Sequence, residues 1–364
     1  MSSHSRTKAA IQRILENTLH RPKALSNGGQ NSHIPPQPST VIASSSTKLD
    51  QSVLDFLEST AQPTYVRKKF KQLAQHQYER EVKNPEGRWR LDAGQTFVDH
   101  NRYADVIPYE STRVILGSED EENTGPIEKN YINASYVHTP GGTRRYIATQ
   151  GPLVETVDRF WKMVWENVSS TNPESVSTIV MLTQTDEAGI EKSAQYWPIG
   201  VNHEFVFPYQ SDELVVKLLD QQHSQEADCT ISTLQLFLRH GDGRKFTVKH
   251  LLYNGWRDMS VPFSNETFLN FFQLYWNSHT SEAAPVVHCS AGIGRTGVFI
   301  ALDYLFSAVP KMTKEEILKD PVFETVDQLR HARGTMVARA SQLEYIYTLF
   351  RDMVLVDEAL VEGS

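Results

Sequence analysis

The stretch VVHCSAGIGRTG, residues 286–297, constrains this chain more than any other part of it. Pro285, Val286, Val287 and His288 read as a short buried strand, and Val298, Ala301, Leu302 and Leu305 mark one face of a following helix. Between them lie Cys289, Ser290, Ala291, Gly292, Ile293, Gly294 and Arg295, a run of small residues carrying one thiol and one guanidinium. Two glycines and an alanine let the backbone curl tightly and turn several N–H groups inward. A strand, a tight loop and a helix amino terminus together make an anion site, and Arg295 adds a planar fork suited to two phosphate oxygens. The same field favours a thiolate at Cys289: a free cysteine titrates near about 8.5, and such surroundings lower it to about 3.5–7.5. A thiolate cupped in a phosphate cradle is a nucleophile aimed at phosphorus. An inert cysteine beside a glycine turn would explain neither the arginine nor the density of small residues.

The rest of the composition fits one large globular domain or two small ones. Of the 364 residues, 39% are hydrophobic, enough for a substantial core. The formal charge of −8, from 36 basic and 44 acidic residues, disfavours a general nucleic-acid binder. Cys229 and Cys289 are too few for a disulfide framework and read as reduced thiols of a cytoplasmic or nuclear protein. The longest apolar stretch, GVFIALDYLFSAV, is too short to span a bilayer and carries Asp303. The amino terminus lacks the apolar core of a secretory signal; its basic stretch RTKAAIQRILENTLHRPK has some transit-peptide character, against which Glu16 weighs.

Residues 1–50 read as a disordered or partly helical tail. Residues 26–47 are dominated by Ser, Pro, Gly, Asn and Gln, which bury too little apolar surface to offset their ordering entropy, and a short helix precedes them at about Lys8 to Leu19. Within RPKAL, Arg21 and Lys23 stand near Leu25, a pattern suited to an acidic groove on a protein kinase; a solvated tail is the plainer reading. Order is expected from about Leu54, through a helix over TYVRKKFKQLAQHQYEREV with Tyr65, Phe70, Leu73 and Tyr78 as core anchors. Beyond it, YINASYV, RRYIATQ, STIVMLT, FTVKHLLY and PVVHC read as strands. VETVDRFWKMVWENV, NETFLNFFQLYWNS, TGVFIALDYLFSAV and ASQLEYIYTLFRDMV read as helices. The expectation is one α/β domain over 54–358, with a mixed β-sheet flanked by helices.

HCSAGIGRTG resembles the signature loop of the protein tyrosine phosphatases, in the tyrosine-specific rather than the dual-specificity group. The similarity extends over most of 60–355 through NRYADVIPYE, YINASYV, ATQGPL, FWKMVWE, AQYWP and LEYIYTLF. It implies a single catalytic domain with a highly twisted mixed sheet, phosphotyrosine-containing proteins as substrates, and neither a metal nor a cofactor. A departing phenoxide needs a proton, so a carboxylic acid on a mobile loop is expected near the cradle. GWRDMSVP is similar to the family's acid loop and supplies Trp256 and Asp258, the latter as general acid and then base. The resemblance makes Tyr103 one wall of a deep phosphotyrosine slot and Asp105 a clamp on the substrate backbone. It places Glu187 against the loop arginine and Lys192 against the acid loop, although both fit equally as surface charges. Thr296 offers a hydroxyl to the leaving thiolate, and His288 orders the loop by hydrogen bonding.

The pattern breaks in four places. The family's acid loop usually reads Trp-Pro-Asp; here Arg257 replaces proline, which frees φ and makes closure costlier. Met259 stands where a ring is usual, and Ser260 where glycine is common, a change that restricts the hinge. Of the two glutamines usual near the last helix, the first is Ala338 and the second is Gln342, which shares its helical face and is expected to substitute in part. Hydrolysis of the phosphocysteine is therefore expected to lag behind its formation. The rival reading, from another class, is a phosphotyrosine-binding module with weak turnover. A lipid or dual-specificity phosphatase fits less well, because the loop lacks extra basic residues and Tyr103 implies a deep slot.

Overall fold

Successive side chains of a strand point to opposite faces and so sort the buried apolar residues into two layers. The computed structural model describes residues 50–84, 87–117 and 130–357; the tail helix, the linker and the RPKAL motif lie outside them. Helix α1 (Gln51–Thr60) opens on Asp50, whose carboxylate accepts from the Ser52 amide at 2.9 Å. It begins slightly ahead of Leu54, and Val53 is already buried. Helix α2 (Pro63–Lys83) carries proline in its first turn, where no N–H is needed. Of its expected anchors, Leu73 is buried, and Tyr65 and Phe70 pack half-buried against the core. Tyr78 is 54% exposed, a correction to the sequence reading. The buried stripe follows Val66, Leu73 and Arg80, and a residue five places past Leu73 falls on the far side of a helix with about 3.6 residues per turn.

The nine-stranded sheet runs β1 (Arg113–Ile115), β2 (Tyr131–His138), β3 (Arg145–Thr149), β11 (Val286–His288), β4 (Val176–Met181), β10 (Phe246–Tyr253), β9 (Cys229–Leu238), β8 (Asp212–Ser224), β7 (Glu204–Tyr209). A separate two-stranded hairpin, β5 (Asp186–Glu187) and β6 (Ile190–Glu191), stands beside it. The four central strands β3, β11, β4 and β10 are parallel, and the outer pairings are antiparallel, so the expected mixed sheet is observed. Every strand read from sequence is present. Strands β1, β7, β8 and β9 and the β5–β6 hairpin lie outside the sequence reading. The alternation in β8 is interrupted by a register shift between Leu218 and Asp220, after which its residues turn polar and exposed.

Val287 and Cys289 belong to the layer formed with α4 (Asn265–Ser278), α5 (Gly294–Ala308), α6 (Pro321–Ala332) and α7 (Ala340–Asp357). Val286 belongs to the other, with α3 (Val157–Val168). Strand β11 is thus covered on both faces, as a central parallel strand must be. Helix α5 is buried well beyond the single face expected, because Gly297 lets the backbone of Val337 approach: a Cβ there would lie 2.5 Å from the Val337 nitrogen. Phe299 stacks on Phe272 of α4 with centroids 4.7 Å apart, which adds about 0.5–1.5 kcal/mol beyond area burial.

Asp303 fixes α5 against its neighbours. Its fully buried carboxylate accepts from Tyr146 of β3 and Trp276 of α4, each at 2.6 Å, and pairs with Arg144 at 2.6 Å. Replacing Asp303 by alanine leaves a cation and two donors without their acceptor. Asp303→Ala is expected to lower stability by about 3–5 kcal/mol in urea unfolding; a loss under about 1 kcal/mol would refute this role for the carboxylate.

Candidate active site

Strand β11 ends at His288, and the loop from Cys289 must reverse within a few residues into α5. Gly292 makes the reversal with φ +71°, and a Cβ there would lie 2.1 Å from the Thr149 carbonyl oxygen. The loop's carbonyls are drawn outward. Arg333, fully buried, donates through Nε to the Gly292 carbonyl at 2.9 Å and through Nη2 to that of Ala291 at 3.0 Å. It also reaches Asn133 Oδ1 at 2.7 Å. Burial pushes the Arg333 guanidinium down to about 10, so it remains a cation at neutral pH. The Ile293 carbonyl accepts from the Val337 amide at 3.0 Å, and the Ser290 carbonyl from Gly151 at 2.8 Å.

With the carbonyls held away, the sulfur of Cys289 faces donors. Burial pushes its thiol up, but the Arg295 guanidinium, the Thr296 hydroxyl and the amides of Thr296 and Gly292 outweigh that, and it lies below the usual thiol value. The Thr296 hydroxyl is buried and has no hydrogen-bond partner within ordinary geometry, so it is free to stabilise the sulfur whose thiol it helps to lower. At Cys229, with no such donors among the described residues, burial and the neighbouring Asp228 charge push the thiol well up.

Arg295 is 2% exposed and is oriented from outside the loop. Its Nη1 donates to Glu187 Oε1 at 2.6 Å and to the Trp256 carbonyl at 3.1 Å, and its Nη2 pairs with Asp258 Oδ1 at 3.2 Å. The second oxygen of Glu187 accepts from the Asp258 amide at 2.8 Å. Lys192 Nζ pairs with Asp258 Oδ2 at 2.7 Å. Glu187 and Lys192, equally readable as surface charges, therefore both reach the site. Desolvation raises the Asp258 carboxyl, but the hydrogen bond to Lys192 and the charges of Arg295 and Lys192 outweigh it and hold the group below its usual value. Buried Trp256 donates from Nε1 to the Ser260 carbonyl at 2.9 Å and closes the acid loop on itself. The restricted backbone falls not on Ser260 but on Met259, which takes φ +56°.

His288 is wholly buried, and burial lowers it to about 4, so it is neutral. The Cys289 carbonyl can only accept, hence Nδ1 of His288 carries the proton across their 3.0 Å contact. Its Nε2 then accepts from the Tyr196 hydroxyl at 2.7 Å, and the Tyr196 oxygen accepts from His250 Nε2 at 2.8 Å. Tyr103 meets Ser290 of the loop, hydroxyl to hydroxyl, at 2.9 Å, while Asp105 is exposed two residues on. Gln342 is buried, with its amide about the Gly294 Cα and its Oε1 without a partner. Ala338 is half-buried against the core and offers no polar atom.

Sequence reading missed Arg333, Asn133, Tyr196 and His250. Asn133 accepts from Arg333 and donates to the Val106 carbonyl at 2.7 Å, tying the Tyr103 segment to the loop. Asn133 and Tyr196 lie inside stretches already singled out, but only as parts of motifs. Nothing local marks Arg333 or His250, whose partners are remote in sequence.

A central strand that ends in a donor-ringed thiol, beside a forked arginine and a loop carboxylate, offers the groups that cysteine-based phosphoryl transfer requires. The family described as protein-tyrosine phosphatase matches residues 98–352, and this chain belongs to it. Tyrosine-protein phosphatase non-receptor type 20 of Mus musculus is 35% identical over 258 residues, 70% of this chain and 54% of that protein. The human protein of that name is 34% identical over 75% of this chain and 59% of its own length. Tyrosine-protein phosphatase 1 of Schizosaccharomyces pombe is 34% identical over 68% of this chain and 43% of its own. This chain thus spans about half the length of these curated relatives. A solved structure of PTPN18 superposes with a TM-score of 0.69 at 28% identity, covering 84% of this chain and 99% of that one. Among the described residues no helix is long and apolar enough to cross a membrane.

Arg333 acts on sulfur through the carbonyls it holds and through its own buried charge. Arg333→Ala is expected to lower kcat/KM on an aryl phosphate about 10–100-fold, the scale of a misplacement near 1 Å, and to raise the pH midpoint of Cys289 alkylation. An unchanged alkylation midpoint would refute the positioning role.

Proposed function

We propose that this chain hydrolyses phosphotyrosine in proteins through a phosphocysteine intermediate. The observation that carries this reading is the buried Cys289 thiol, held below its usual value at the focus of loop donors and Arg295. The phosphate oxygens take the loop amides and the Arg295 fork; Sγ attacks phosphorus, and the bond from phosphorus to the tyrosine oxygen breaks as Asp258 gives that oxygen its proton. Asp258 then takes a proton from water, whose oxygen attacks phosphorus, and the S–P bond breaks to restore the thiolate. For the first step Asp258 must be protonated. Phosphate draws the Arg295 Nη2 away from it and brings negative charge nearby, and both changes raise its pKa from the depressed value of the free protein.

Tyr103, held by Ser290, walls a slot deep enough for phosphotyrosine and too deep for phosphoserine, and Asp105 holds the substrate backbone. The names of the relatives, and the solved complex of PTPN18 with HER2 phosphor-peptides, support this substrate class. A role in signal transduction, in the cytoplasm or nucleus, agrees with the non-receptor relatives and with two free thiols; a kinase bound through Arg21 and Lys23 is a further element of the proposal.

Ala338 favours a second reading, a phosphotyrosine-binding module with weak turnover. Gln342 offers a free amide oxygen beside the loop for positioning water. Stopped flow with p-nitrophenyl phosphate is expected to give a rapid burst of phenol followed by slow turnover, abolished by Cys289→Ser, and Ala338→Gln is expected to quicken the slow phase. Absence of phenol release would overturn the phosphatase reading in favour of the module. A linear trace unaffected by Ala338→Gln would overturn only the slow-hydrolysis account.

The Asp258 ion pairs also fix a pH dependence. A depressed carboxyl holds its proton only at low pH, so activity is expected to fall on the alkaline side as that proton is lost. Lys192→Met removes one charge that favours the carboxylate, and the alkaline limb of kcat/KM is expected to move to higher pH. A limb that stays in place or moves down would show that Lys192 does not set it.

A further inference from the structure

Two exposed arginines at the mouth of the site have no acidic partner among the described residues, although the chain carries a net charge of −8. Arg257, next to Asp258 in the acid loop, lays its guanidinium over the Phe263 ring at 5.0 Å. Arg339, just before α7, reaches across to the acid loop and places Nη2 3.2 Å from the sulfur of Met259. Both cations thus rest on neutral, polarisable groups, which hold their position without neutralising them. The supports themselves face solvent: Met259 is 65% exposed and Phe263 61%. Met259 in turn donates its amide to Asp258 Oδ1 at 3.0 Å, and that oxygen lies 3.2 Å from Arg295 Nη2. Arg339 is therefore linked by a short chain of contacts to the phosphate-binding fork.

We infer that Arg257 and Arg339, seated on Phe263 and Met259, form a lip that reads the residues flanking the phosphotyrosine and favours an anionic group there. The inference rests on the phosphotyrosine reading of the same site. Of the other charged groups near the site, Lys192 is paired with Asp258 and Arg102 is spent on the Gly151 and Pro152 carbonyls and Glu191, while Asp105 is exposed on the Tyr103 segment. An anion on the substrate meets positive charge without an acidic partner at the lip, and the two exposed apolar supports hold those guanidinium groups in place. A carboxylate and a second phosphate share this chemistry, the latter matching a guanidinium fork more fully.

The test compares kcat/KM on phosphotyrosine peptides whose flanking positions carry glutamate, phosphothreonine, alanine or lysine, at low and high salt. The glutamate peptide is expected to exceed the alanine peptide roughly three- to tenfold at low salt, and less at high salt, the range for a pair of exposed ion pairs. A preference confined to the phosphothreonine peptide would identify a second phosphate as the anion read. Arg339→Glu is expected to reverse the order in favour of lysine; since each ratio is taken within one protein, a partial loss of activity leaves it readable. Equal turnover of the glutamate, phosphothreonine and alanine peptides, or an order unchanged by Arg339→Glu, would overturn the lip. If no peptide is turned over, the proposed activity fails, and affinities of the same peptides for Cys289→Ser still decide the preference.

Discussion

The sulfur of Cys289 is almost wholly removed from water, and burial alone would keep it protonated. The rest of the site is organised around reversing that tendency. Donors must face the sulfur while the loop's own carbonyls face elsewhere, and a backbone can separate the two within a few residues only by passing through a left-handed turn. Gly292 provides the turn, against a Thr149 carbonyl that leaves no room for a Cβ. Arg333 receives the displaced carbonyls, and Asn133 receives Arg333. The chain from His250 through Tyr196 to His288 fixes the carbonyl of Cys289 itself, and deep burial keeps the His288 imidazole neutral so that its Nε2 can accept.

A second set of charges governs the acid loop. Arg295 is too deeply buried to remain unpaired: Glu187 holds its guanidinium with one oxygen and the Asp258 amide with the other. One carboxylate thus sets the distance between Arg295 and Asp258, the proposed phosphate fork and loop acid. The loop supplies its own closure through the Trp256 to Ser260 bond and a 2.9 Å bond from the Phe263 amide to the Gly255 carbonyl, which compensates for the missing proline at 257. The cost of a left-handed residue, about 1–2 kcal/mol, falls on Met259 rather than on the position where glycine is usual.

Much of the fold was legible because burial imposes period. The parallel strands β3, β4, β10 and β11 each hold an unbroken apolar run, Tyr146 to Ala148, Ile179 to Met181, Leu251 to Tyr253 and Val286 to Val287, and α4, α5 and α7 carry continuous apolar rows. Legibility failed where tertiary context overrides local pattern. Strand β8 changes register and ends in polar residues, and Tyr78 is aromatic yet lies off the buried stripe of α2. Within the site, the residues of one contiguous loop were readable because the loop's chemistry is local. Glu187 and Lys192 were balanced between two readings, since a charge shows its partner only in space.

What the sequence determined by itself is the proposed nucleophile and its cradle: Cys289, small residues and Arg295 lie within one strand-to-helix connection, and backbone geometry over so short a span leaves few alternatives. What only the tertiary structure decided is how that cradle is held and closed. Arg333 comes from beyond α6, Asn133 from β2, Glu187 from the β5–β6 hairpin and Arg339 from the approach to α7. Each acts through a hydrogen bond or ion pair that requires contact within about 3 Å, and such proximity is created by packing and leaves no periodic trace in the chain.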